Sequence, residues 1–175
     1  AYTPIIRFGT DEQKKKYLTP QTEKMSFAAF CLTEREAGSD AGALKTKAIR
    51  QGDEYIINGS KCFISNGGIA STYSVFALTD PGKGARGMSA FIVPRETPGI
   101  TIGKEEDKMG HRASNTVELF LEDVRVPAEN LLAKEGMGFI IAMRTLDHTR
   151  APVGAAGVGV ARAAMEYAIE YAKTR

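Results

Sequence analysis

Between about residues 26 and 127 the apolar residues come in short runs, and turn signals close most of them. The runs are Ser26 to Leu32, Leu44 to Gln51, Glu54 to Ile57, Lys61 to Ser65, Thr72 to Thr79, Met88 to Val93, Ile100 to Gly103 and Thr116 to Val124. Gly52-Asp53, Asn58-Gly59, Asn66-Gly67-Gly68, Asp80-Pro81-Gly82 and Thr97-Pro98-Gly99 punctuate them. Runs this short are strands rather than helices, and their spacing predicts an antiparallel sandwich or barrel of about six to eight strands. Asn58-Gly59 reads as a type I′ turn or a bulge between two strands, Glu54 to Ile57 and Lys61 to Ser65.

Both ends carry a different pattern. Thr10 can cap a short helix with Gln13 as the other half of a capping box, and Pro20 is expected to close that helix. Gly136-Met137-Gly138 precedes a helical stretch that runs to Tyr171, and Pro152 predicts a kink or a junction inside it. Gly154, Gly157 and Gly159 disfavour a helix unless another helix packs closely there. The fold class is therefore an α+β fragment: an antiparallel β-barrel or sandwich middle domain flanked by helices of truncated neighbouring domains. The expected limits are residues 1–25, 26–133 and 134–175. Starting without Met, the chain reads as the middle of a longer protein.

Lys plus Arg number 23 against 21 Asp plus Glu, scattered rather than striped, so nothing points to a nucleic acid. No apolar run approaches the roughly 18–20 residues of a membrane span. Cys31 and Cys62 lack metal-ligand spacing and read as buried free thiols of a reducing compartment, with a disulfide or a reactive thiol as the alternatives, and two histidines make no multi-histidine metal site.

Three segments can carry chemistry. Phe30-Cys31-Leu32-Thr33 ends a strand in a hydroxyl and leads to Gly38-Ser39-Asp40, either a plain strand-to-loop transition or a loop that receives a phosphate or a polar ring edge. Phe63 and Ser65 lie two apart and share a strand face. They are either a core ring with a strand-end hydroxyl, or a plate and a donor for a flat ligand. Asp147 and Arg150 are one helical turn apart, forming a surface ion pair or holding an Arg for a nucleotide phosphate.

In order along the chain these segments resemble the acyl-CoA dehydrogenase family. The matching stretches are Leu32-Thr33-Glu34 with Ala37-Gly38-Ser39-Asp40, Gly52 to Lys61, Ile64-Ser65-Asn66-Gly67-Gly68, Met109 to Ser114, Phe120 to Pro127, and Leu146 to Arg150. The resemblance covers nearly the whole chain. It implies an FAD-dependent α,β-dehydrogenation of acyl-CoA thioesters to trans-2-enoyl-CoA, as in fatty-acid β-oxidation, with electrons passed to an electron-transfer flavoprotein. It also implies a homo-oligomer, placed in the cytoplasm of a bacterium or in the mitochondrial matrix of a eukaryote. By that resemblance Phe30, Leu32, Thr33, Ser39, Phe63, Ile64 and Ser65 bind FAD. Ser39, Asp147, His148, Thr149 and Arg150 contact the acyl-CoA, and the catalytic base lies beyond Arg175. Arg35-Glu36 stands where the family usually has Pro-Gly, Phe63 where many members have Trp, Ser65 where many have Thr, and Thr149 where a minority carry the basic Glu. Two rival functions are an acyl-CoA oxidase and a non-catalytic β-barrel interaction module.

Overall fold

The computed structural model describes residues 1–175. Three short helices come first: α1 (Thr3–Phe8), α2 (Asp11–Tyr17) and α3 (Thr19–Glu23). The capping box forms as expected, with Gln13 N–H donating to Thr10 Oγ1 at 3.2 Å and Thr10 N–H donating to Gln13 Oε1 at 3.0 Å. Pro20 does not close α2. It sits in the first turn of α3, where its missing N–H has no intrahelical acceptor to lose. Gln13 Nε2 donates to the Glu129 and Leu131 carbonyls, and Tyr17 OH to Asn130 Oδ1, which fastens α2 to the segment that follows the last strand.

Seven strands form one sheet: β1 (Ala28–Cys31), β2 (Lys47–Gln51), β3 (Glu54–Ser65), β4 (Thr72–Leu78), β5 (Met88–Pro94), β6 (Ile100–Glu105) and β7 (Thr116–Pro127). Their order is β1-β4-β2-β3-β7-β6, with β5 paired to β4, and the sheet curls into a half-barrel. Alternate side chains fill the interior, among them Tyr55, Ile57, Ile64, Tyr73, Phe91 and Leu119. The Tyr55 and Phe91 rings pack tilted at 4.9 Å. Most pairings are antiparallel, as expected. Two are not: β1 runs parallel to β4, and β2 meets the end of β4 in parallel. Apolar alternation marks which residues face inward but carries no information on strand direction.

The expected pair of strands around Asn58-Gly59 is one twelve-residue strand, β3, whose register against β7 shifts between Ile57 and Gly59 and again between Lys61 and Ile64. Asn58 does not turn the chain. Its side chain accepts from Asp123 N–H at 2.8 Å and donates to Asp123 Oδ1 at 3.0 Å, bridging β3 to β7. Gly59 is required by close approach: a Cβ there would lie 2.4 Å from Thr46 Oγ1 and 2.8 Å from Thr46 Cα. Gly59→Ala is expected to cost about 1–3 kcal/mol by forcing Thr46 back. The measurement is a urea titration, and a midpoint equal to the parent's would contradict it.

After β7 a short loop leads to α4 (Gly138–Thr174). Pro152 lies inside this helix and makes no junction between two helices there; the helix is continuous for 37 residues. Proline removes a single helical hydrogen bond, that to the His148 carbonyl, and the flanking turns carry the helix past it. The chain divides into two compact units, Ala1–Ala142 and Met143–Arg175. In the second unit nothing lies within 4 Å of where a Cβ would stand at Gly154, Gly157 or Gly159. No helix is long and apolar enough to cross a membrane.

Candidate functional site

The end of β1, the residue two beyond it and the end of β3 converge on a cleft of about 340 Å³. Phe30 and Thr33 line it from one segment, Phe63, Ser65 and Asn66 from the other, with Ala1 and Ala28. The second register shift of β3 aims Phe63. Lys61 and Cys62 are both buried in succession, and Phe63 then turns outward with φ at 55° and 65% of its surface exposed. A non-glycine residue in the left-handed region is held there by its surroundings, and such residues concentrate at functional sites. Phe63 and Ser65 therefore share the outward face, as the spacing predicts. Phe30 is partly buried against Phe76, ring centroids 4.9 Å apart. The Thr33 and Ser65 hydroxyls and the Asn66 side-chain amide have no hydrogen-bond partner within the chain and are free to receive a ligand, while the Asn66 backbone N–H donates to the Asn115 carbonyl at 2.6 Å.

Behind the cleft lies a buried ion pair that the sequence reading does not anticipate. Lys61 Nζ, with no side-chain exposure, donates to Glu34 Oε1 at 2.7 Å and to the Leu32 carbonyl at 3.2 Å. Glu34 also accepts from Thr46 N–H at 3.1 Å, Thr46 Oγ1 at 2.6 Å and Lys45 N–H at 2.6 Å. Burial pushes the Glu34 carboxyl up, but the Lys61 charge and these hydrogen bonds together outweigh it and leave it below the ordinary carboxylate value. Burial lowers Lys61 despite the opposing pull of Glu34. Beside them the Cys31 thiol is pushed by burial up to about 12, so it is inert as a nucleophile. No signal in the sequence marks the pair: alternation carried on from Tyr55 and Ile57 would bury Phe63 and Ser65 along with Lys61, and only the register shift separates them.

The turn at Arg35-Glu36 closes without Pro-Gly, through Ala37 N–H to the Glu34 carbonyl at 3.1 Å and Glu34 N–H to the Ala37 carbonyl at 3.2 Å. The other sequence-predicted residues are placed differently. Leu32 and Ile64 are buried, Ile64 in the barrel core, so their side chains do not line the cleft. Ser39 lies exposed in the bend before Ala41 and is not among the cleft residues. On α4, Arg150 Nε donates to Asp147 Oδ1 at 3.2 Å, both side chains being largely exposed, and His148 is exposed as well. Leu146, Thr149, Arg150 and Val153 line an open concavity of about 380 Å³ on this helix. The Thr149 hydroxyl donates to the carbonyls of Thr145 and Leu146.

The acyl-CoA dehydrogenase middle domain matches residues 29–124, and the acyl-CoA dehydrogenase C-terminal domain matches residues 136–175. The acryloyl-CoA reductase (NADH) of Anaerotignum propionicum is 54% identical over 98% of this chain and 44% of its own length. Butyryl-CoA dehydrogenase from Megasphaera elsdenii superposes with a TM-score of 0.94 at 53% identity, covering 98% of this chain and 45% of that one. A chain solved in work on the electron transferring flavoprotein of Acidaminococcus fermentans and flavin-based electron bifurcation also superposes at 0.94, with 54% identity over 99% of this chain and 46% of its own. The chain thus spans less than half the length of these relatives. The middle-domain match takes in more than half of the residues, including those that close the cleft around Thr33 and Phe63, and the chain belongs to the acyl-CoA dehydrogenase family.

Proposed function

We propose that this chain supplies the cofactor-binding middle of an FAD-dependent acyl-CoA dehydrogenase. Residues 1–25 would end an N-terminal helical domain, 26–133 form the β-domain, and 134–175 open a C-terminal helical domain. The observation that carries the reading is the cleft itself: an exposed aromatic plate held at a positive φ, with unpartnered hydroxyls on both sides of it. An isoalloxazine ring asks for a flat apolar wall and hydrogen-bond donors at its edge, and Phe63, Thr33 and Ser65 meet that demand. Bound flavin supplies the acceptor for the hydride that leaves the β-carbon of the acyl thioester.

Phe63 would supply the apolar wall for the ring and exclude water there. Thr33 and Ser65 would offer hydroxyl donors to the ring edge, stabilising the charge that a reduced flavin carries. Phe30 lines the cleft, while Leu32 and Ile64 support it from behind. Ser39 is assigned to the FAD pyrophosphate and the pantetheine arm, and Asp147, His148, Thr149 and Arg150 to the CoA portion. The base that removes the α-proton is assigned to a carboxylate outside residues 1–175. Glu34 is engaged on both oxygens, and Asp147 is paired with Arg150. Electrons would pass to an electron-transfer flavoprotein, in keeping with the resemblance to the Acidaminococcus chain. The full-length enzyme is assigned as a homo-oligomer of the bacterial cytoplasm or the mitochondrial matrix, and the free thiols of Cys31 and Cys62 suit a reducing compartment.

The test is flavin retention. Phe63→Ala in the full-length enzyme is expected to weaken FAD binding by about threefold to tenfold, the weight of one aromatic contact, and to shift the visible flavin band. Ser39→Ala is expected to weaken FAD binding without moving the band, because its assigned contact is at the pyrophosphate. Parental flavin content and spectrum in both variants would refute the assignment.

A further inference from the structure

We propose that the buried Glu34–Lys61 pair is a positioning device that sets the separation between Thr33 and the Phe63–Ser65 segment across the cleft. The proposal rests on the flavin reading above. Glu34 directly follows Thr33, and Lys61 lies two residues before Phe63. Lys61 Nζ grips the Leu32 carbonyl and the Glu34 carboxylate, while Cys62 N–H donates to the Thr33 carbonyl at 3.0 Å. Two successive residues of β3 thereby hold three successive residues of the facing segment, with Thr33 in the middle. Thr46 and Lys45 bind the same carboxylate from the entry to β2 and anchor it to a third segment.

Stability alone is a poor reason for this arrangement. An apolar pair of similar volume packs at least as favourably as a buried ion pair. What an apolar pair lacks is direction, since it cannot hold one carbonyl and one carboxylate at fixed distances from a single nitrogen. The positive φ of Phe63 points the same way. A strained residue keeps its conformation only where its neighbours over-determine it, and the anchored residues Lys61 and Cys62 stand immediately before it. Loosening the pair therefore frees both walls of the cleft at once.

The experiment uses the full-length protein with FAD as the probe. The double variant Glu34→Gln/Lys61→Met removes both charges at nearly constant volume, and Glu34→Asp keeps the charge balance but shortens the tether by one methylene. Each is checked by circular dichroism and thermal melting, then titrated with FAD while the visible flavin spectrum is recorded. The expected result is a folded protein that binds FAD about tenfold or more weakly, with a displaced flavin band. A folded double variant with parental affinity and parental spectrum overturns the proposal. A double variant that fails to fold overturns it too, because the pair then serves stability rather than position. A parental protein that binds no FAD rejects the flavin reading itself, before any variant is compared.

Discussion

Residues 1–175, purified as a separate polypeptide and mixed anaerobically with excess FAD and a panel of acyl-CoAs, are expected to leave the flavin oxidised. Removal of an α-proton needs a carboxylate within hydrogen-bond reach, a contribution of about 10²- to 10⁴-fold to the rate. The carboxylates nearest the proposed sites are committed elsewhere. Both oxygens of Glu34 are occupied by Lys61, Thr46 and Lys45, and Asp147 is paired with Arg150. Thr149, at the helix position where some family members carry the base, is not basic enough at neutral pH and spends its hydroxyl on helix carbonyls. In the same experiment the polypeptide is expected to elute above its 18.9 kDa monomer mass. Val153, Val158, Val160, Met165, Tyr167 and Tyr171 are all more than half exposed on α4, and apolar side chains left uncovered in this way favour association. Bleaching of the flavin at the rate of a complete dehydrogenase would identify a base inside this chain and overturn the mechanism proposed here.

Lys61→Met alone is expected to lower the stability of the first unit by about 3–5 kcal/mol, because it strands the buried carboxylate of Glu34 and leaves the Leu32 carbonyl without its donor. The pH dependence distinguishes this cause from lost packing. In the parent, Glu34 titrates below its ordinary value of 4.5, so its contribution is present above that value and is lost as the pH falls through the folded one. In the variant the lysine charge is gone and burial remains, which moves the Glu34 pKa upward. The deficit against the parent is therefore largest near pH 7 and narrows as the carboxyl takes up a proton toward about pH 5. Urea titrations of both proteins at the two pH values read this directly. A deficit independent of pH would mean that the pair is not ionised in the folded protein.

The approximate positions of most strands and the capping box of α2 follow from local chemistry. Turn residues, alternation and a Thr-x-x-Gln spacing are properties of a few neighbouring positions, and a one-dimensional pattern records them in full. The same holds for the shared face of Phe63 and Ser65, which needs only a period of two; that this face is the outward one depends on the register shift before Phe63. Family membership was legible for a related reason: the loop stretches from Leu32 to Asp40 and from Ile64 to Gly68 carry their order and spacing along the chain itself.

What tertiary structure alone decided involves residues far apart in sequence. Asn58-Gly59 has the composition of a hairpin turn, yet it lies inside β3, because Thr46 needs the space above Gly59 and Asp123 takes the Asn58 amide. The parallel pairing of β1 with β4 depends on where β2 and β3 go in between. Leu32 and Ile64 have the right neighbours for a cofactor wall but are buried, Ile64 in the barrel core, since only the packing of distant segments determines which side chains lose their exposure. Above all, Glu34 and Lys61 are unremarkable charges in the sequence. They become a buried pair only when β3 closes against the segment after β1, because a charge loses its water through the packing of distant segments and not through its own neighbours.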